Sequence, residues 1–344
     1  MPVPPAPLRR ALTIPAVMVF MVISVALLIV VTLVTGPVSL CLRGRWRAVR
    51  LGSFLVIYLA TEITALAGAF TIWAGSGRPS RRDARRYQDL NFGLIERSLA
   101  RLYGAARYLF RLHVEALADP QVMREAEPGT APGPVIVLSR HAGPGDAFLL
   151  VYALLAYAGR RPLPVLKNTL ALDPWIDVLF SRVPHCFIRP NPLAGEHAAA
   201  QISDLAAGMG EQDALVLFPE GGNFTAGRRL RAIGRLRQRG QPKRASQAAR
   251  LDHVLPPRPA GTLAAIRAAP QADVAFVAHT GLDHMDSAAT VWSGIPLDGP
   301  LRVTWWRVPS HSMPADQEAA TQWLFAQWAQ IDAWISRRRA DRSA

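Results

Sequence analysis

His141 and Asp146 stand five residues apart in the stretch Ser139-Arg140-His141-Ala142-Gly143-Pro144-Gly145-Asp146. A carboxylate bonded to Nδ1–H fixes an imidazole in one tautomer, leaves Nε2 free as a base, and stabilises the imidazolium as it forms. That is two members of a nucleophile-activating triad without the serine, so the activated hydroxyl would belong to a substrate. A second turn with an acid in it, Phe218-Pro219-Glu220-Gly221, comes later. The first spacing is weak by itself. With eight histidines in the chain, an Asp five residues after one of them is about a one-in-three accident when about one residue in twenty is Asp. An Asp directly before an apolar helix is also a favoured cap.

Placement strengthens the pair. Val135-Ile136-Val137-Leu138 reads as a buried strand, and residues 147–158 as the apolar helix after it. Further strands are expected at 163–166, 186–188, 214–218, 274–278 and 301–306. Helices are expected at 174–180, 194–209, 261–269 and 315–338. Short apolar runs alternating with helices predict an α/β fold, with a largely parallel open sheet and flanking helices. Ligand groups in such sheets collect beyond the carboxyl ends of strands. His141 follows one such end, and Glu220 follows another.

The front of the chain is different. Residues 11–42 carry no charge, and residues 51–77 carry only Glu62. About 20 apolar residues cross a bilayer core, so both runs predict membrane-embedded helices. A cleavable signal peptide fits less well, because the first apolar run is too long and a second follows at once. Arginines flank both runs (Arg9 and Arg10 before, Arg78 to Arg86 after), which favours the flanks and the main domain on the cytoplasmic side. Arg43, Arg45, Arg47 and Arg50 in the intervening loop also suit a hairpin entering from one face. Glu62 is a functional candidate by its location, with a protonated or interfacial acid as the plainer account. Residues 79–120 show a 3.6-residue apolar period, giving an amphipathic helix that packs on the core or lies among headgroups. Residues 127–134 read as a Gly/Pro-rich linker.

The 344 residues carry a net charge of +14, with a pI of about 11 and a mean hydropathy of +0.14. A basic chain with this front end suits an anionic membrane and a phosphate-bearing substrate. Nothing resembles a nucleic-acid-binding module, so no nucleic-acid partner is expected. Two cysteines, Cys41 and Cys186, give no disulfide framework and fit reduced thiols. His279, Asp283, His284 and Asp286 match no standard zinc spacing, and no metal is expected. His185 reads as structural. Trp323, Trp328 and Trp334 in the last helix suit core packing, with a membrane belt as the other use of Trp.

Taken together, His141-x4-Asp146, Phe218-Pro219-Glu220-Gly221 and the intervening Cys186-Phe187-Ile188-Arg189-Pro190 resemble the glycerolipid acyltransferase family, specifically the 1-acylglycerol-3-phosphate acyltransferases. Asn223-Phe224-Thr225, then His253-Val254-Leu255-Pro256-Pro257-Arg258 with Gly261 after it, resemble the longer subgroup also found in eukaryotes. The resemblance implies an N-terminal two-helix membrane anchor on a glycerolipid acyltransferase fold. It places a membrane-embedded hairpin at 1–77, an amphipathic helix and linker at 78–130, and the α/β acyltransferase domain at 131–344. It implies His141 as general base oriented by Asp146, and Arg189 on the acceptor phosphate with Lys167 nearby. Glu220 and Gly221 would shape the acceptor site, and the segment after Ala147 and that from Trp175 to Phe180 could border an acyl groove. Relatives usually read Glu-Gly-Thr-Arg where this chain has Glu220-Gly221-Gly222-Asn223. The missing arginine removes one anion contact, and Arg228, Arg229 and Arg231 are candidates to replace it, with a solvated basic run as the other reading.

The implied reaction moves a fatty acyl chain from acyl-CoA or acyl carrier protein, as co-substrate, to the free hydroxyl of 1-acylglycerol-3-phosphate, giving phosphatidic acid. No other cofactor is expected. The implied partners are membrane phospholipids and the lysophospholipid acceptor, and the implied location is the cell inner membrane. Alternatives are a lysophospholipid acceptor with a larger headgroup, a membrane-bound hydrolase in which His141 activates water, and a non-catalytic membrane scaffold.

Overall fold

The computed structural model describes residues 3–41, 45–76, 84–117, 133–189 and 195–343. The chain divides into two units: residues 1–113 with 166–187 and 292–299, and residues 114–165 with 188–291 and 300–344.

The first unit is built on three long helices, α1 (Ala6–Cys41), α2 (Arg47–Ser76) and α3 (Ala84–Phe110). At 1.5 Å per residue, the 36 residues of α1 and 30 of α2 each exceed the roughly 30 Å of a bilayer core. Both are long and apolar enough to cross a membrane by length and composition. Phe20, Val22, Leu33 and Val34 of α1 are all exposed, an arrangement that water would penalise and a lipid phase would not. Helix α3 is shorter than the 79–120 period suggested, and its apolar face (Ile95, Leu99, Leu102) is buried. The linker expected at 127–134 lies mostly outside the described residues.

Helix α5 (Pro174–Phe180) belongs to this unit. Asp173 caps it by accepting from the Ile176 amide at 3.3 Å. Asp177, buried, receives the guanidinium groups of Arg9 and of Arg10, the latter at 2.7 Å. Glu62 is also buried and hydrogen-bonds the Asp173 carboxyl, which the Tyr58 hydroxyl also engages. Burial raises the Asp173 carboxyl above its ordinary value.

The second unit supplies most of a seven-stranded sheet. The strands are β1 (Val114–Ala116), β2 (Val135–Ser139), β3 (Arg161–Lys167), β4 (Cys186–Ile188), β5 (Asp213–Leu217), β6 (Asp273–Thr280) and β7 (Leu301–Val308), in the spatial order β1-β7-β6-β2-β5-β3-β4. β2 is central and pairs in parallel with β5 and β6. β7 runs antiparallel to β6, so the sheet is mixed with a parallel majority.

The helices are α4 (Asp146–Ala156), α6 (Gly195–Ala207), α7 (Ala226–Gln238), α8 (Pro242–Ala249), α9 (Pro259–Ala268), α10 (Ala288–Gly294) and α11 (Gln317–Ser343). Both faces of β2 are covered, which is why it reads as an unbroken apolar run. Ile136 and Leu138 face a core containing Ile202, Phe276, Leu324, Trp328 and Trp334. Val135 and Val137 face Leu150 and Leu154 of α4. The last helix therefore spends its Trp328 and Trp334 on the core. Truncating a buried residue of this kind costs about 2–5 kcal/mol.

Candidate active site

Strand β2 ends at Ser139, and the ladder continues one step further through the Arg140 amide to the Val277 carbonyl at 3.3 Å. The chain then turns sharply through Gly143 and Gly145. A Cβ at Gly143 would lie 2.7 Å from the Leu282 Cβ and 2.8 Å from its carbonyl oxygen, so only glycine fits. Gly145 has φ of 85° and is the cap of α4. Asp146 is thus the first residue inside the helix, not its cap.

The turn folds Asp146 back onto His141. The Nδ1 of His141 is 2.9 Å from each Asp146 carboxylate oxygen. Asp146 also accepts from the amides of Ala142 at 2.8 Å, Gly143 at 3.2 Å and Ala147 at 2.7 Å. Burial alone would raise this carboxyl. The hydrogen bond from His141, the charge of nearby His279 and the backbone donors outweigh it and hold Asp146 below its ordinary value. The imidazole rests on the Phe218 ring, with centroids 4.9 Å apart. Its side chain keeps 21% of its surface open, and among the described residues no partner occupies Nε2.

Glu220 works from the next strand end. It is buried, and its two oxygens accept from the His141 amide at 3.2 Å and the Leu255 amide at 3.0 Å. Desolvation pushes Glu220 up to about 8, against the pull of Arg140 and of those two amides. The Phe224 amide closes the link by donating to the His141 carbonyl at 2.9 Å. Gly221 has φ of 69°, a conformation that favours glycine.

Of the other residues singled out in the sequence, Lys167 closes β3 within the first unit. Arg189 is exposed just past β4 in the second. Arg228 donates to the Asn223 carbonyl at 3.0 Å, and Arg229 to the Ala249 carbonyl at 2.7 Å and the Asp252 carboxylate at 3.0 Å. Those two guanidinium groups are therefore engaged in holding the loop and its neighbours.

Three residues named in the sequence without a role beside the His141–Asp146 pair stand close to it or to the Glu220 turn. Arg140 is fully buried and donates to the carbonyls of His279 at 2.7 Å and His253 at 2.9 Å and to Asp283 at 2.5 Å. Asp283 is held well below the usual carboxylate range by that cation, despite its burial. His279 is buried, which pushes its pKa down although Asp146 pulls it up. Its Nε2 lies 3.2 Å from the Arg140 carbonyl and 3.7 Å from Asp146. Arg258 packs on Gly221. The register of β6 beside β2 is the signal that could have brought His279 forward, and Arg140 stood next to the histidine in sequence. A cleft of about 210 Å³ lies elsewhere in this unit, lined by Thr280, His284, Pro300, Arg302 and neighbours. It includes neither member of the His141–Asp146 pair.

A solvent-reachable imidazole, oriented by a buried carboxylate at the carboxyl edge of a mostly parallel sheet, is an arrangement able to take a proton from a hydroxyl. Residues 121–249 match the family model described as Acyltransferase. The chain is similar in fold to the crystal structure of the 1-acyl-sn-glycerophosphate acyltransferase PlsC from Thermotoga maritima. It is 14% identical, with 85% of this chain and 98% of that one covered and a TM-score of 0.49. No curated protein matches this chain.

Proposed function

We propose that the protein transfers a fatty acyl chain from a thioester, acyl-CoA or acyl carrier protein, to the free hydroxyl of 1-acylglycerol-3-phosphate, giving phosphatidic acid. The observation that carries this reading is the two-oxygen grip of Asp146 on the His141 Nδ1, with Nε2 left open, inside the span that matches the Acyltransferase model. The Nε2 takes the hydroxyl proton as the acceptor oxygen bonds to the thioester carbonyl carbon. The tetrahedral intermediate then collapses, the C–S bond breaks, and the thiolate leaves with the proton returned by the imidazolium. Asp146 stabilises that imidazolium. Glu220 is a positioning residue, acting through the His141 amide. Arg189 and Lys167 are assigned to the acceptor phosphate through the family resemblance, for which guanidinium geometry is well suited.

The two apolar helices support residence in a membrane, and the arginines around them support a cytoplasmic catalytic domain at the inner membrane. Gly222-Asn223, in place of the family's Thr-Arg, favours a second reading of the acceptor as a lysophospholipid with a larger headgroup.

Full-length protein incubated with labelled acyl-CoA and a panel of lysophospholipids separates these. Acceptor-dependent label transfer, fastest with 1-acylglycerol-3-phosphate, is expected. Faster transfer to a larger lysophospholipid would install the second reading. Release of free fatty acid regardless of acceptor would overturn both in favour of hydrolysis.

A further inference from the structure

The 25 residues from 226 to 250 hold nine Lys and Arg and no Asp or Glu. Most of that charge is dispersed or already engaged: Arg228 and Arg229 hold backbone carbonyls, and Arg244 pairs with Glu318 at 2.7 Å. Arg235 and Arg239 form no ion pair among the described residues, and neither does Arg258, which arrives from the start of α9. Partial desolvation depresses Arg258, and the nearby charges of Arg235 and Arg239 depress it further.

Arg258 is held against the turn that carries Glu220. Its amide donates to the Pro219 carbonyl at 2.9 Å. A Cβ built on Gly221 would lie 2.8 Å from the Arg258 Cζ and 2.9 Å from Nη1, so the guanidinium rests on the bare Gly221 Cα. Glycine at 221 therefore serves both the left-handed turn and the approach of a cation. Gly221, on which the cation rests, stands two residues before Asn223, and the cation remains exposed. Three like charges grouped without a counter-ion raise the energy of the empty site. A phosphate relieves that repulsion and matches the guanidinium fork.

We propose that Arg258, backed by Arg235 and Arg239, forms a phosphate-binding site on the Phe218–Gly221 turn. Resting on the acyl-transfer reading, the phosphate belongs to one of the two substrates: the headgroup of the lysolipid or the nucleotide of a CoA thioester.

Binding of two water-soluble probes, glycerol 3-phosphate and adenosine 3′,5′-bisphosphate, to the full-length protein by calorimetry tests this without requiring turnover. R258Q should weaken one probe about tenfold or more, the scale of one charge-assisted contact. R258K should restore part of the loss. The double variant R237Q/K243Q removes more charge from α7 and α8 outside the trio and should stay within about twofold of wild type. The affected probe identifies the substrate. Unchanged binding of both probes to R258Q, an equal loss in the R237Q/K243Q control, or no binding of either probe to wild type would overturn the site. Failure of the acyl-transfer reading looks different: phosphate binding stays sensitive to R258Q while wild type transfers no acyl group.

Discussion

Asp146 and Glu220 are both buried carboxyls at the carboxyl edge of one sheet, and both hold the same histidine, by opposite ends. Asp146 grips the imidazole of His141, while Glu220 grips its backbone amide. Their environments divide them further. Asp146 collects an imidazole and three amides and is held below its ordinary value. Glu220 collects two amides and is pushed up to about 8 by desolvation. The number and charge of donors, more than burial, decides which acid stays ionised. An ionised partner can stabilise a developing imidazolium; a largely neutral one can only place it.

Breaking the ionised partner should have the larger effect on rate. Asp146→Asn offers an amide where the imidazole needs a carboxylate, so it removes both the tautomer control and the charge. We expect kcat to fall by about 10²–10⁴-fold with the acceptor KM little changed, read by steady-state kinetics. A fall in kcat no larger than that of a Glu220 variant would erase the distinction between the two acids.

Glu220→Gln should act mainly on stability. One of two buried amides loses its acceptor, a cost of about 1–3 kcal/mol, and kcat should drop by about tenfold or less as the His141 loop loosens. The pH dependence sharpens this. Glu220 has an ordinary value of 4.5 and about 8 in the folded chain. The native state therefore keeps a proton that the unfolded chain has released, and stability declines as pH rises from 4.5 towards 8. Asp146 runs the other way: its contribution is complete above 3.8 and is lost as pH falls through its lower folded value. Thermal melts of E220Q should lose the decline between pH 5 and 8, and a decline of unchanged size would remove Glu220 as its source.

How much of this was legible in the sequence follows from the range of the interactions. The Pro174–Phe180 helix and the strand at Cys186–Ile188 were read to the residue, because proline, a cap and a short apolar run act locally. The His141–Asp146 contact was legible for the same reason, spanning one tight turn. Helices α7 and α8 were missed because five of the 13 residues of α7 are arginine and only Leu230, Ile233 and Leu236 mark its apolar side. Strand β1 is three residues long and owes its existence to pairing with β7, almost two hundred positions away. Glu220 was found by its motif, but its partner, the His141 amide 79 positions earlier, was set by strand order alone. Arg258 was part of a motif whose physical purpose needed Gly221 beside it in space.

The most direct test of the central claim is His141→Ala assayed for acceptor-dependent acyl transfer, with the melting temperature measured alongside. Its imidazole is partly open and its amide contact to Glu220 survives the substitution, so the fold should be kept. Transfer is expected to fall by about 100-fold or more, the scale of a positioned base, with the acceptor KM near its wild-type value. Wild-type activity in the variant would contradict the role of His141 as the base.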